Sequence, residues 1–267
     1  MLTIFQYDFM VRAFIAGFCI ALIAPLIGTF LVVKRYALLA DTLSHVSLVG
    51  VALALLFGFH PLLGAIVTAC FAALGIERLR EKSKAFGESI LALFLSASLA
   101  IAVVLLSFSH NLNINILSYL FGSITTVSES DIIFIVLLAI GILLITVLFF
   151  KQFFILAYDE DLAKTSGLAV ERLNILLMLL AAVTISLSIR IVGSLLMGAL
   201  MVIPVLAAVQ FKLSFLRTTI LGVIISCLSV FAGLLFSFYL NLPSGGTIVI
   251  VAIVCYILSL IVNRKVA

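Results

Sequence analysis

The chain has 267 residues, of which 66% are hydrophobic and 10% are charged, and its net charge at pH 7 is +4. Soluble domains carry about a quarter charged residues, so this composition excludes an ordinary soluble protein and predicts an all-helical, polytopic membrane protein. The basic residues are spread between apolar segments, which argues against nucleic-acid binding. The four cysteines lie in apolar segments without a C-x-x-C spacing, as expected of small buried side chains.

Nine apolar segments approach or exceed the roughly 20 residues that a helix needs to cross a bilayer. The first lacks a small-residue cleavage site and is too long for the core of a signal peptide, so it is interpreted as a span. Eight spans is the alternative count. The predicted spans are residues 9–33, 36–57, 61–76, 88–108, 131–150, 173–190, 192–210, 214–239 and 245–263.

The basic residues predict the orientation of these spans. When the connecting segments are assigned alternately to two sides, one side receives 13 of the 15 lysines and arginines, and the other keeps Arg12 and Arg190. Cytoplasmic segments collect lysine and arginine. The N-terminus is therefore predicted to lie outside and the C-terminus in the cytoplasm, and residues 1–267 are interpreted as a single transmembrane domain.

Two connecting segments are candidates for structure of their own. On the outer side, residues 110–130 contain a short apolar core, ILSYLFG, which favours a re-entrant or surface-lying half-helix as much as an ordinary structured loop. On the cytoplasmic side, residues 151–172 contain DEDLAKTSGL, which predicts a short helix with acids in its first turn and Gly167 after its end. Such a helix would present a docking surface, and a solvated loop is the plainer alternative.

Asp41 and His45 lie inside the second predicted span, ~9 and ~15 Å from the cytoplasmic surface at ~1.5 Å per residue. Ionisable side chains at such depth are costly and mark functional sites. Residues four apart share a helix face, so this carboxylate and imidazole are a candidate ligand pair for a divalent transition metal. The alternatives are a structural Asp41–His45 hydrogen bond or an ion pair between Asp41 and Arg190. A homodimer would supply two carboxylates and two imidazoles.

Three further polar residues are predicted near the outer side. His60 and His110 lie in outer loops, where they would assist metal entry or, more commonly, make ordinary loop contacts. Arg190 lies at the outer end of the sixth span, where we expect it to snorkel to the surface rather than to act as a gate.

Small residues and prolines predict a tightly packed bundle. Small side chains let helix backbones approach closely in lipid, and prolines within spans predict kinks. The small residues are Gly193, Ser194, Gly198 and Ala199, and the prolines are Pro25 and Pro204.

The sequence contains no common motif of an intramembrane protease or an ATPase. It has no H-E-x-x-H motif, and it lacks G-x-G-D with a second intramembrane aspartate. It also lacks G-x-x-x-x-G-K-[S/T], so the chain is not expected to bind the phosphates of ATP. Energy coupling would then need a separate subunit.

Four motifs follow one another along the chain, in the second span, the 151–172 segment, the seventh span and the last span. Their positions are Asp41, Ser44, His45 and Gly50; Asp159, Glu160, Ala163 and Gly167; Gly193, Leu196, Ala199 and Pro204; and Pro243, Gly245 and Val249. In this order they resemble the permease subunits of bacterial metal-uptake ABC transporters, the zinc/manganese/iron family. Two positions depart from that family's pattern, Ala40 for a common glycine and Gly246 for a frequent proline.

The resemblance implies a homodimeric pore in the bacterial inner membrane with no permanently bound cofactor. It implies a cytoplasmic ATPase docking at the segment that carries Asp159, Glu160, Ala163 and Gly167, and an extracytoplasmic protein that delivers the metal. Zinc is the favoured cargo for an Asp and His donor pair, and manganese or ferrous iron is the alternative. A proton-coupled secondary transporter that uses the Asp41–His45 pair as a relay is the alternative from another class.

Overall fold

The computed structural model describes residues 6–82, 87–107, 116–123, 125 and 127–264, and within these ranges the regular structure is helical throughout. The first helices are α1 (Asp8–Val33), α2 (Ala37–Phe57), α3 (Pro61–Lys82), α4 (Gly87–Ser107), α5 (Ile116–Phe121) and α6 (Glu129–Leu148). They are followed by α7 (Phe150–Tyr158), α8 (Glu160–Thr165), α9 (Val170–Val192), α10 (Met197–Val209), α11 (Phe215–Leu240) and α12 (Ser244–Arg264). The predicted all-helical fold is confirmed.

Among the described residues, eight helices are long and apolar enough to cross a membrane, which agrees with the predicted eight or nine spans. These are α1, α2, α3, α4, α6, α9, α11 and α12. The predicted span 192–210 contains α10 instead, which has 13 residues and is about 20 Å long at 1.5 Å per residue. Helix α3 continues past the predicted end at residue 76, because the charged residues that end the apolar pattern do not end the helix.

Helices α1, α2, α9 and α10 form the interior of the bundle. Most residues of α1, α2 and α9 are buried, and α10 packs against α1, α2, α11 and α12. Helices α4, α6 and α12 expose many large apolar side chains, as expected of helices that face lipid. The helix with Asp41 and His45 is therefore enclosed by other helices along most of its surface.

The backbones of α2 and α3 approach closely where they cross. A methyl group added at Gly50 would overlap the Gly64 carbonyl oxygen, and one added at Gly64 would meet the Gly50 carbonyl oxygen. The Thr68 hydroxyl donates a 2.9 Å hydrogen bond to the Gly64 carbonyl at the same place. Glycines at both positions allow this tight packing within the membrane.

Residues 193–196 interrupt the helical path between α9 and α10. Gly193 has φ 84° and ψ 158°, a conformation that is essentially restricted to glycine. The Ser194 N–H donates a 2.9 Å hydrogen bond to the Tyr119 carbonyl of α5. Helix α5 corresponds to the half-helix that was one interpretation of the outer segment. Its carbonyl groups accept hydrogen bonds from backbone N–H groups that a break inside a membrane would otherwise leave unpaired. This pairing explains why the predicted span 192–210 is shortened.

The short helix predicted within residues 151–172 is confirmed as α8. The Asp159 carboxylate caps its N-terminus by accepting hydrogen bonds from two backbone N–H groups of the first turn. Gly167 follows its end with φ 78°, and the Leu168 N–H donates to the Ala163 carbonyl at 3.1 Å, as in a glycine-terminated helix. Ala163 is fully buried, so α8 is fixed to the bundle and is not a free loop.

Candidate functional site

Asp41 and His45 occupy one partly open face of α2. Asp41 is partly buried and His45 is 8% exposed. Residues at helical spacing above and below them share this face, and most of the remaining positions of α2 are buried. The stripe, which we call the α2 stripe, consists of Leu38, Asp41, His45, Val49, Leu53 and Leu56. Asp41 therefore faces space that the other described helices fill only in part, and His45, on the same face, is almost completely covered.

Gly198, the second residue of α10, lies directly against the Asp41 carboxylate. A methyl group at Gly198 would overlap Asp41 Oδ1, so only glycine fits beside the carboxylate in its observed position. The sequence predicts a helix-packing role for Gly198, and the structure shows that the side chain packed against it is the candidate ligand Asp41. Pro204, further along α10, is buried.

Ser44 links α2 to the break between α9 and α10. Its hydroxyl lies 2.7 Å from the Asp41 carbonyl oxygen and 2.7 Å from the Ser194 carbonyl oxygen, so these two acceptors share its single proton. His45 Nδ1 and Ser194 Oγ are buried and, in the described part of the chain, have no hydrogen-bond partner. Buried polar atoms are nearly always paired, so unpaired ones at this link indicate a place for water, an ion or a partner group.

One chain supplies only part of a metal-binding shell at this site. Asp41 and His45 contribute a carboxylate and an imidazole, whereas protein sites for these metals usually have four to six ligands. Among the described residues, no group of three or more His, Cys, Asp or Glu side chains is placed to hold a metal ion. A complete shell would need water or groups from another molecule.

A buried polar cluster lies at the end of the bundle opposite α8. Asp131 is fully buried at the start of α6, where Ser128 caps the helix and donates a 2.7 Å hydrogen bond to the carboxylate. Arg190 Nη1 and His60 Nε2 each lie 3.6 Å from an Asp131 oxygen. The Arg190 guanidinium also lies 5.3 Å from the centre of the Tyr119 ring. This cluster therefore joins α6, α9, α5 and the start of α3.

These contacts correct two expectations about Arg190. Its side chain is 14% exposed and bound to Asp131, so the expectation that it snorkels to the surface is wrong. Its observed acidic partner is Asp131, in place of the Asp41 pairing that was one alternative. The Ser-x-x-Asp pattern at residues 128–131 is a capping-box signal that could have identified Asp131. His60 lies in the cluster, and His110 lies outside the described residues.

At the α8 end, Glu160 contacts three other elements. Lys34 Nζ, just after α1, lies 2.7 Å from Glu160 Oε1, and Arg80 of α3 lies 3.6 Å from the same oxygen. Asn174 of α9 donates a 3.4 Å hydrogen bond to it. In the sequence, Lys34 and Arg80 are recognisable only as charges that mark one side of the membrane, and Asn174 carries no signal. Contacts between distant helices leave no local pattern.

Electrostatics favour the charged form of Glu160. Burial by itself raises the pKa of this carboxyl, but the hydrogen bond from Lys34 and the positive charges of Lys34 and Arg80 hold the pKa below its ordinary value. Burial lowers the pKa of Lys34, and the hydrogen bond to Glu160 opposes that change. Glu160 is therefore ionised at neutral pH, where it binds a buried ammonium group.

Comparison with known proteins identifies relatives across almost the whole chain. The model of the ABC 3 transport family matches residues 6–263. A probable metal transport system membrane protein of Treponema pallidum is 39% identical over 253 residues, 95% of each chain. The high-affinity zinc uptake system membrane protein ZnuB of Buchnera aphidicola is 31% identical, over 92% of this chain and 94% of ZnuB.

Two further proteins extend the comparison. The manganese transport system membrane protein MntC of Listeria monocytogenes is 28% identical, over 97% of this chain and 92% of MntC. The solved structure of PsaBC from Streptococcus pneumoniae in complex with Fab is similar with a TM-score of 0.86 and 27% identity. That similarity covers 96% of this chain and 92% of the matched chain.

Proposed function

This chain belongs to the ABC 3 transport family, and on that premise we propose that it is the membrane-spanning subunit of an ATP-driven importer of divalent transition metal ions. It is a multi-pass protein of the bacterial inner membrane and a relative of metal-transport membrane proteins. The observation that carries the proposal is the position of Asp41 and His45 on the partly open α2 stripe, deep in a helix that is otherwise enclosed. In this proposal the two side chains bind the metal as it passes.

The importer we propose is a homodimer in which two α2 stripes face one another. The partial exposure of the stripe and the incomplete ligand set of one chain both favour this arrangement. A second copy would add another carboxylate and another imidazole, bringing the protein ligands to four. Each chain alone holds the metal weakly, which suits a site that must also release it.

The proposed energy source is a separate cytoplasmic ATPase subunit that docks at residues 159–167. The sequence has no P-loop of its own, and α8 presents Asp161 and Leu162 as exposed side chains that a partner would contact. An extracytoplasmic metal-binding protein is proposed to deliver the cargo at the opposite end. The chain is thus proposed as a permease and not as an enzyme.

Zinc is the cargo we favour, with manganese or iron as the alternative. The donor pair of carboxylate and imidazole suits all three ions. Among the relatives, ZnuB of Buchnera aphidicola is named for zinc and MntC of Listeria monocytogenes for manganese. Uptake measured separately for each metal, in cells that lack their own uptake systems, identifies the cargo.

Replacing the candidate ligand tests the proposed site. We expect Asp41→Ala to reduce metal uptake to background while membrane insertion and dimer formation remain, because the side chain binds the metal and does not hold the fold together. Asp8→Ala, which removes an exposed acid at the start of α1, serves as the matched control and should transport normally. Normal uptake by Asp41→Ala would refute the site.

Scrambling residues 159–167 distinguishes the ABC permease from a proton-coupled secondary transporter. The permease should lose uptake, because its ATPase no longer docks, whereas a secondary transporter should continue to import metal in response to a proton gradient. Measurement of uptake in vesicles with ATP and, separately, with an imposed pH gradient gives the answer. Uptake by the scrambled variant at the normal rate would contradict the ABC mechanism.

A further inference from the structure

The turn between α1 and α2 is fixed to both helices. Lys34 N–H donates to the Phe30 carbonyl at 3.0 Å, and Tyr36 N–H donates to the Leu31 carbonyl at 2.8 Å, which closes the end of α1. Leu39 N–H then donates to the Tyr36 carbonyl at 3.0 Å at the start of α2. Residues 34–36 therefore form a short, hydrogen-bonded connection between the two helices. Because of this, a displacement of Lys34 also displaces the first turn of α2.

The Lys34 side chain reaches across to α8 and α9. Its ammonium group lies 2.7 Å from Glu160 Oε1 and 2.6 Å from Asn174 Oδ1, and the side chain is only 4% exposed. Arg80 approaches the same Glu160 oxygen and stacks 4.2 Å from the centre of the Tyr36 ring. The Glu160 carboxylate of α8, together with the Asn174 side chain of α9, thus holds the turn that begins α2.

Glu160 differs from the other charged residues among residues 159–167 because its side chain contacts other helices. Asp159 uses its carboxylate to cap α8. Asp161 and Lys164 contact one another at 3.8 Å, and their side chains are 95% and 52% exposed. Within residues 159–167, Glu160 is the acidic side chain that contacts other helices of the bundle.

Asp41 lies close enough to the turn at residues 34–36 that a displacement of this turn also displaces Asp41. It is four residues past Ala37, about 6 Å along α2 at 1.5 Å per residue. Its carboxylate packs against Gly198 of α10 with no room for a methyl group. A shift of α2 relative to α10 therefore changes the surroundings of the carboxylate, since packed interfaces do not deform continuously.

We propose that Lys34 and Glu160 are positioning residues that connect residues 159–167 to α2, so that movement of this segment repositions Asp41 and His45. The connection rests on the proposed function, because it passes the motion of a docked ATPase to the proposed metal site. The plainer alternative is that the ion pair only stabilises the fold.

A double-mutant cycle separates these two roles. The variants are Lys34→Met, Glu160→Gln and the combination of both, each purified with its ATPase subunit and reconstituted in vesicles. The control is the combination Arg12→Met and Glu129→Gln, which removes an ion pair between α1 and α6 at the opposite end of the bundle. Three quantities are measured for each complex: thermal stability, ATP hydrolysis rate, and metal ions imported per ATP hydrolysed.

We expect the double variant to regain stability relative to Lys34→Met, since Glu160→Gln removes the partly buried carboxylate that Lys34→Met deprives of its ammonium partner. Its ATP hydrolysis should continue, while metal import per ATP falls at least about tenfold in all three variants of the cycle. The two single losses should not add, as expected of residues that act through one contact. The control should import at the normal ratio.

Normal import per ATP in the stable double variant would overturn the proposed connection and leave the pair a purely structural contact. Loss of ATP hydrolysis in the double variant, with the ATPase no longer bound, would also overturn it, because Glu160 would then act in docking. Both outcomes leave the proposed function intact when the unmodified complex still imports metal only with ATP. If the unmodified complex imports metal without its ATPase, the proposed function itself fails.

Discussion

At the scale of single residues, the Asp41 carboxylate is positioned by a neighbour that has no side chain. Gly198 leaves space for Oδ1 where a methyl group would overlap it, and Ser44 holds the adjacent backbone against Ser194. The position of the carboxylate is thus set by α10 as well as by α2. A substitution at Gly198 should therefore alter metal uptake even though neither candidate ligand is itself replaced.

Gly198→Ala tests this arrangement. The added methyl group displaces the carboxylate, which is the end of a flexible side chain on a partly open face, so the fold should be retained. We expect metal uptake to fall by roughly tenfold, which corresponds to about 1.4 kcal/mol of lost affinity. Gly141→Ala is the matched control, because a methyl group at that glycine of α6 meets nothing within 4 Å. Equal uptake rates for the two variants would show that the contact has no role in transport.

The candidate ligands were predictable from the sequence, but their surroundings were not. An acid and a histidine four residues apart in an apolar segment are visible in the sequence, because helix periodicity and depth follow from spacing alone. The Gly198 contact joins residues 157 positions apart along the chain, and Asp131 was hidden at the edge of a predicted span. Such contacts depend on how helices pack, which a single sequence does not specify.

At the scale of secondary structure, the break between α9 and α10 is the element that departs most from the sequence pattern. Apolar composition predicted a continuous span over residues 192–210, since hydropathy reports burial and not backbone conformation. The break exists because Gly193 adopts a conformation restricted to glycine and because α5 supplies hydrogen-bond partners. Helix α8, in contrast, was predictable, because its acidic first turn and following glycine are local signals.

Gly193→Ala should destabilise the protein. A methyl group there would overlap the Leu120 carbonyl oxygen, and the backbone conformation itself costs a non-glycine residue about 1–3 kcal/mol. The measurement is the midpoint of thermal unfolding in detergent. Gly246→Ala, at a glycine with open space around it, is the control. A midpoint for Gly193→Ala equal to that of the control would contradict the described break.

At the scale of the whole molecule, charge is divided between the two ends of the bundle. Lys34, Arg80 and Lys164 line one cavity of about 970 Å³ beside α8. Arg190 lies at the other end with Asp131, and Arg12 contacts Glu129 there. This separation agrees with the basic asymmetry in the sequence, which predicts that the α8 end faces the cytoplasm.

Cysteine labelling of intact cells tests this orientation. In a chain whose four cysteines are replaced by alanine, Ser166→Cys places a thiol on the α8 end and Leu242→Cys places one on the opposite end; both positions are exposed. A membrane-impermeant maleimide should label Leu242→Cys in intact cells and Ser166→Cys only after the cells are opened. The reverse pattern would invert the predicted topology.

The crossing of α2 and α3 at Gly50 and Gly64 has a consequence for the surrounding bilayer. Because the two backbones touch there, acyl chains cannot enter between them, and on this flank lipid meets the outer face of α3, with Leu63, Val67 and Phe71 exposed. Helix α3 thus closes the face of α2 that carries Gly50 to hydrocarbon. Asp41 and His45 lie on the opposite, partly open face, so only a further partner, such as the proposed second copy, would keep hydrocarbon away from them.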